Sequence, residues 1–191
     1  VTHVHDLYPE SLIQKIPYFK NILYYLLLPI DKYILNNSSY VITISKTMRE
    51  LLIKSRNLSS SKVYVAYNWQ DETLFNKINH NSIDKEEKFK FMYAGSISNL
   101  AVIEDLILAF NEAKINNSEL IIAGDGSDKK RLMTLVSKMN FKNIKFIKFN
   151  QENIGLTQSN SDVLILSLKK GASKFAFPSK IPAYMFSSKP I

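Results

Sequence analysis

The chain has 191 residues, 46% hydrophobic and 22% charged, with 5 Gly and 6 Pro. This composition excludes a disordered tail, a collagen-like repeat and a Pro-rich linker, and leaves one ordinary domain or two small ones. Without cysteine there is no disulfide scaffold, Cys-ligated zinc or thiol nucleophile, and His3, His5 and His80 stand at no metal-ligand spacing, so neither a metal nor a cofactor is expected. A net charge of +8 admits anionic partners: nucleic acid, a membrane surface or a phosphorylated small molecule. Only Arg49, Arg56 and Arg131 are arginine, the residue that reads bases bidentately, so no nucleic-acid partner is expected.

In chain order, Val1–Asp6 reads as the end of a strand and Pro9–Lys15 as a short helix. From Tyr18 to about Asn36, the residues Phe19, Ile22, Leu23, Leu26, Ile30 and Tyr33 recur at spacings of three and four, which predicts a helix burying one face. Pro29 is expected to kink that helix or end it early. The run Ile22–Ile30 is apolar all round but too short to span a bilayer, which needs about 20 residues. It reads as core packing or, with lysines near its ends and two tyrosines, as a segment lying at a membrane surface. Val41–Ile44 is a strand, Ser45 an N-cap, and Met48, Leu51 and Leu52 the inner face of the next helix. Val63–Tyr67 is a further strand, and the polar stretch from Asn76 to Lys90 suits an interdomain connection.

From Phe89 onward strands and helices alternate. Strands are predicted over Phe89–Ala94, Leu120–Ala123, Ile144–Phe149 and Asp162–Leu166, and helices over Val102–Ala113, Asp128–Met139, Glu152–Gln158 and Ser179–Phe186, with Pro190-Ile191 opening another strand. Such alternation specifies an α/β fold with a parallel sheet covered on both faces. Residues 85–191 hold 16 basic and 10 acidic residues, against 9 and 7 in residues 1–84, so the alternating half is the more basic.

Ligands of open parallel sheets bind beyond the carboxyl ends of the strands, and candidate residues cluster there. Gly95-Ser96 follows the Phe89–Ala94 strand, and Gly124-Asp125-Gly126 the Leu120–Ala123 strand. Glycine there allows backbone to approach a phosphate closely, although a lone G-x-G also serves as a plain turn. Pro178-Ser179-Lys180 opens a helix with a hydroxyl and a cation beside free amides, or with Ser179 as a simple N-cap. In the other half, His5-Asp6 leaves a strand end, placing an imidazole suited to proton transfer near neutrality. Glu10 reads as a carboxylate base or as an acidic residue at a helix start.

Taken together these residues resemble the family 4 type of GT-B glycosyltransferases, in the bacterial cell-surface polysaccharide (capsule and O-antigen) branch whose motif reads HDLWPES. Here the motif stands as His5-Asp6-Leu7-Tyr8-Pro9-Glu10-Ser11. Ala66-Tyr67-Asn68-Trp69 with Phe75, Tyr93-Ala94-Gly95-Ser96-Ile97, Ile122–Gly126, Ser161–Leu164, Pro178-Ser179-Lys180 with Tyr184-Met185, and Lys189-Pro190-Ile191 follow in the family's order over nearly the whole chain. The resemblance implies two Rossmann-like domains facing a cleft, both incomplete here: 1–75 on the acceptor side, 76–88 as connection, and 89–191 holding the donor. It implies metal-independent transfer of a sugar from a nucleotide diphosphate donor, with retention, to a surface glycan that is lipid-linked. His5, Asp6 and Glu10 become the catalytic candidates, and Gly95, Ser96, Gly124, Pro178, Ser179 and Lys180 the donor-binding ones.

The chain departs from the family at several places. Phe175 and Ala183 stand where many members carry two glutamates, Ser96 and Val102 lie where an Arg and Lys often neutralise the diphosphate, and Ser188 replaces a glycine. Lys180 is then the expected substitute cation. Two alternatives stay open: a sugar-nucleotide epimerase of the same architecture, which would need cleft carboxylates, and an inactive partner subunit. The expected location is the cytoplasm or the inner face of the plasma membrane, with contact through Ile22–Ile30. The strand-like Val1–Asp6 and Lys189-Pro190-Ile191 ends predict an excerpt of a longer protein, inactive alone.

Overall fold

Short apolar runs become strands, and amphipathic runs become the helices that cover them. The computed structural model describes residues 1–16, 19–75, 88–99, 101–148, 151–170 and 180–191. These form two units, built on residues 1–68 and on residues 69–169 with 180–191. The division falls between Asn68 and Trp69, so 69–75 join the second unit, whereas the sequence reading kept them with the first up to residue 75. The reason lies in packing: Phe75 stacks on Phe186 at 5.6 Å between ring centroids. Most of the expected connection, 76–87, lies outside the described residues.

The first unit is a three-stranded parallel sheet in the order β1-β2-β3, with β1 at Thr2–Val4, β2 at Val41–Thr43 and β3 at Val63–Val65. Thr2 pairs with Val41, and Val41 with Val63. Helix α1 spans Glu10–Lys15, α2 Lys20–Asn37 and α3 Lys46–Arg56. Ser45 caps α3 by accepting the Met48 amide at 3.1 Å, and Asn57 ends it in the left-handed conformation that asparagine tolerates. Leu7, Leu35, Val41, Ile44, Met48, Leu52, Leu58 and Val63 form the core. Each fully buried aliphatic side chain there contributes roughly 1.5–3 kcal/mol.

Helix α2 corrects two expectations. It does not end early at Pro29 but runs on through it to Asn37. Pro29 is exposed, so the hydrogen bond that its missing N–H forfeits lies on the solvent side, and the helix is pinned beyond it by buried Leu35 and by Asp31 on Arg56. Most of the residues expected to be buried are exposed: Phe19 and Tyr33 are 73% and 72% exposed, and Ile22, Leu26 and Ile30 are exposed with them, while Leu23 is half-buried. A helix apolar on all sides carries no periodic signal for its rotation. The ion pair and Leu35 set it instead.

The second unit is a four-stranded, all-parallel sheet in the order β6-β5-β4-β7, with β4 at Phe89–Ala94, β5 at Ser118–Ala123, β6 at Ile144–Ile147 and β7 at Val163–Leu164. Helices α4 (Ile103–Ala113), α5 (Lys129–Lys138), α6 (Ile154–Ser159) and α7 (Lys180–Phe186) complete it. Alternate residues of each strand serve opposite faces. Tyr93, Leu120 and Ile122 join Ile107, Phe110 and Leu132 in one cluster, and Met92, Ala94, Ile121, Ala123 and Leu164 join Tyr184 in the other. The predicted doubly covered parallel sheet is thus observed. Beside it, the Leu164 amide donates to the Pro190 carbonyl at 2.9 Å, so the chain returns alongside β7 where a further strand was expected.

Candidate functional site

In the second unit the expected donor residues gather at the carboxyl end of β4. Gly95 has φ +147°, which favours glycine, and a Cβ there would lie 2.2 Å from Lys180 Cε. Its amide donates to the Ala123 carbonyl at 2.8 Å, so Gly95 makes room for Lys180 while its own N–H is satisfied within the fold. Gly124 lies beneath it: a Cβ would sit 1.9 Å from the Gly95 oxygen. The Gly124 amide donates to Ile147 at 3.0 Å, and its carbonyl accepts Lys129 Nζ at 2.7 Å. Gly124 therefore acts through packing, because both of its polar backbone groups are partnered and it is buried.

Lys180 starts α7 and reaches over β4. Its Nζ donates to the Tyr93 hydroxyl and lies 3.9 Å from the centroid of the Tyr93 ring. The Tyr93 hydroxyl in turn donates to the carbonyl of exposed Ser96 at 2.7 Å. No carboxylate pairs with Lys180 among the described residues. Burial pushes its ammonium down to about 8. Burial, with Tyr184 nearby, also raises the Tyr93 phenol well above its ordinary value. The result is a partly desolvated cation at a strand end, held by the hydroxyl and the ring face of Tyr93.

Tyr93 and Tyr184 are the residues that the sequence reading missed. The Tyr184 hydroxyl accepts the Ala94 amide at 2.9 Å and lies 3.1 Å from the Ala94 carbonyl and 3.3 Å from that of Ile165. It clamps α7 onto the ends of β4 and β7, and burial pushes it up to about 12. The available signal was a tyrosine two residues before a strand-ending glycine, and another four residues after the lysine. Pro178 and Ser179 lie outside the described residues. Ala183, at one of the expected glutamate positions, is buried.

In the first unit, His5 and Asp6 follow β1 and are exposed. The His5 ring lies 4.1 Å from that of His3, tilted by 43°. Glu10 is placed differently from a free base. Its two oxygens accept Arg56 Nη1 and Nη2 at 2.6 and 2.7 Å, while Asp31 accepts Arg56 Nε at 2.7 Å. Burial alone would raise the Glu10 carboxyl, but the Arg56 bonds outweigh it and hold the group below its usual range. Among the described residues no group of three or more His, Asp or Glu side chains is placed to hold a metal ion, and no helix is long and apolar enough to cross a membrane.

The parallel sheet covered on both faces, with Lys180 over its strand ends, defines a doubly wound α/β protein. Residues 75–179 match the family described as glycosyl transferases group 1, and the chain belongs to that family. Its fold matches that of GT-B glycosyltransferases of known structure. The Anabaena HepE complex with UDP-glucose aligns with 98% of this chain at TM-score 0.72 and 19% identity. WaaG, a glycosyltransferase involved in lipopolysaccharide biosynthesis, aligns with 98% at 0.73 and 11%, and a glycosyltransferase from Rickettsia africae with 98% at 0.71 and 14%. The chain spans 51%, 54% and 49% of those three proteins, about half of each. No relative is found among curated sequences.

Proposed function

We propose that the whole protein transfers a sugar from a nucleotide diphosphate-sugar to a surface-glycan acceptor, and that the second unit binds the donor. The observation that carries this reading is Lys180, a half-buried cation without a carboxylate partner among the described residues, at the strand ends of the more basic half. When the bond from anomeric carbon to phosphate oxygen breaks, negative charge grows on the leaving diphosphate. A preorganised ammonium in a desolvated site stabilises that charge more than it stabilises the intact donor. Lys180 fills this role in place of the Arg and Lys expected at Ser96 and Val102. Ser179 and Pro178, adjoining it in sequence, belong to the same donor segment, and Ser96 borders the site through its carbonyl bond to Tyr93. HepE, similar in fold, binds UDP-glucose, which supports a nucleotide-sugar donor.

The finer parts of the reading follow the family 4 resemblance: metal-independent transfer, retention at the anomeric carbon, a hexosyl donor, and His5 with Asp6 beside the transferred sugar. A lipid-linked acceptor in capsule or O-antigen synthesis, reached from the cytoplasmic membrane face, agrees with the exposed apolar side of α2. The epimerase alternative loses support because Glu10, one of two carboxylates it could draw on, is bound to Arg56. The inactive-subunit alternative keeps one supporting observation, the buried Ala183 in place of a glutamate.

A panel of UDP- and GDP-sugars incubated with the full-length protein separates these readings. Donor consumption with sugar transfer is expected, and Lys180→Ala should weaken donor affinity and lower turnover by about tenfold or more. Isomerised donor indicates the epimerase, and absence of binding the inactive subunit. Unchanged affinity and turnover in Lys180→Ala would overturn the role of that lysine.

A further inference from the structure

Arg56, the last residue of α3, is the largest fully buried side chain among the described residues, at 1% exposure. Its guanidinium donates five hydrogen bonds. Nε donates to Asp31 on α2 at 2.7 Å, and Nη1 and Nη2 donate to the two oxygens of Glu10 at the start of α1. Nη2 also donates to the Tyr8 carbonyl at 2.5 Å, and Nη1 to Ser55 Oγ at 2.9 Å. Tyr8 and Glu10 flank Pro9 in the segment that leaves β1 through His5 and Asp6, with Leu7 buried in the core behind it. One guanidinium therefore ties three helices to that segment.

We propose that Arg56, through Glu10 and the Tyr8 carbonyl, is the positioning residue for the His5–Pro9 segment, and that the Glu10 carboxylate is an anchor and not a proton acceptor in the reaction. A general base needs a lone pair free to face the substrate and a pKa near the working pH. Glu10 has both oxygens engaged, and Arg56 keeps it ionised below the usual carboxylate range. An isolated buried ion pair gives little net stability over apolar packing of the same volume, so directional geometry is what this cluster contributes. The planar fork of arginine sets the orientation of the carboxylate, and a lysine in its place would not. The inference rests on the glycosyl-transfer reading for its kinetic consequence only.

The test uses Glu10→Gln, Arg56→Lys and the double variant of the full-length protein. Hydrogen exchange at the amides of residues 5–8 should rise by about tenfold or more in each single variant, with exchange across residues 89–123 unchanged. In transfer assays kcat should fall while the donor KM stays within about twofold, and the double variant should be less impaired than the product of the singles. Glu10→Gln that abolishes transfer with exchange at 5–8 unchanged would identify a base and overturn the proposal. So would unchanged exchange in both single variants. Should Arg56→Lys fail to fold, Glu10→Gln carries both readouts. Should no sugar be transferred at all, the glycosyl-transfer reading fails, while the exchange measurement still decides whether Glu10 is the anchor.

Discussion

A half-buried ammonium held by the hydroxyl and ring face of one tyrosine has one favourable way to gain a counter-charge, and that is to bind an anion. Lys180 titrates near 8 in the folded chain against 10.5 ordinarily, because burial disfavours its charged form. The sign follows: at neutral pH the unliganded protein bears the cost of a buried charge, and stability rises as pH climbs from about 8 towards 10.5. An anionic nucleotide needs the ammonium, so it binds tightest below about 8. Titration calorimetry with UDP between pH 6.5 and 9.5 should show affinity falling by about tenfold per pH unit on the alkaline side. Lys180→Met should flatten that profile, and a wild-type affinity that does not change with pH would remove Lys180 from the donor site. Neither the depressed pKa nor the Tyr93 contact was legible in Pro178-Ser179-Lys180, since both arise from a strand 87 residues away.

At the scale of elements, α2 separates what periodicity can tell from what it cannot. Spacings of three and four correctly predicted a helix, yet five of the six residues at those spacings, all but Leu23, are exposed. The deciding contacts are Asp31 with Arg56 and the burial of Leu35, which join residues far apart in sequence. The outward face carries Phe19, Ile22, Tyr25, Leu26, Ile30 and Tyr33, a composition suited to the interfacial region of a bilayer. Burying a large apolar side chain there contributes roughly 1.5–3 kcal/mol. The full-length protein should therefore sediment with vesicles containing phosphatidylglycerol, and Tyr25→Ser with Tyr33→Ser should reduce that partition by about tenfold or more. Equal partition of wild type and variant would reject α2 as the contact.

At the scale of the whole molecule, charge and fold point the same way. The half with 16 basic and 10 acidic residues is the one that carries Lys180 over a parallel sheet, and it contains most of the stretch matched by the family. Donor binding should accordingly be confined to the second unit. Hydrogen exchange with and without UDP should show protection near residues 93–97 and 180–184 and none in 1–68. Protection confined to 1–68 would overturn the assignment of the donor to the second unit.

The strand and helix alternation after Phe89 was sufficient to specify a parallel, doubly covered sheet, because period and turn chemistry are local properties of the chain. The order β6-β5-β4-β7 and the gathering of Gly95, Gly124 and Lys180 at the carboxyl end of the central strands follow from that topology. Tertiary structure alone decided which face of α2 meets solvent, that Glu10 is bound by Arg56, and that Gly124 is a packing glycine. It also decided that Tyr93 and Tyr184 hold the start of α7. Each of these depends on a partner distant in sequence, where long-range burial and hydrogen bonding override what neighbouring residues suggest.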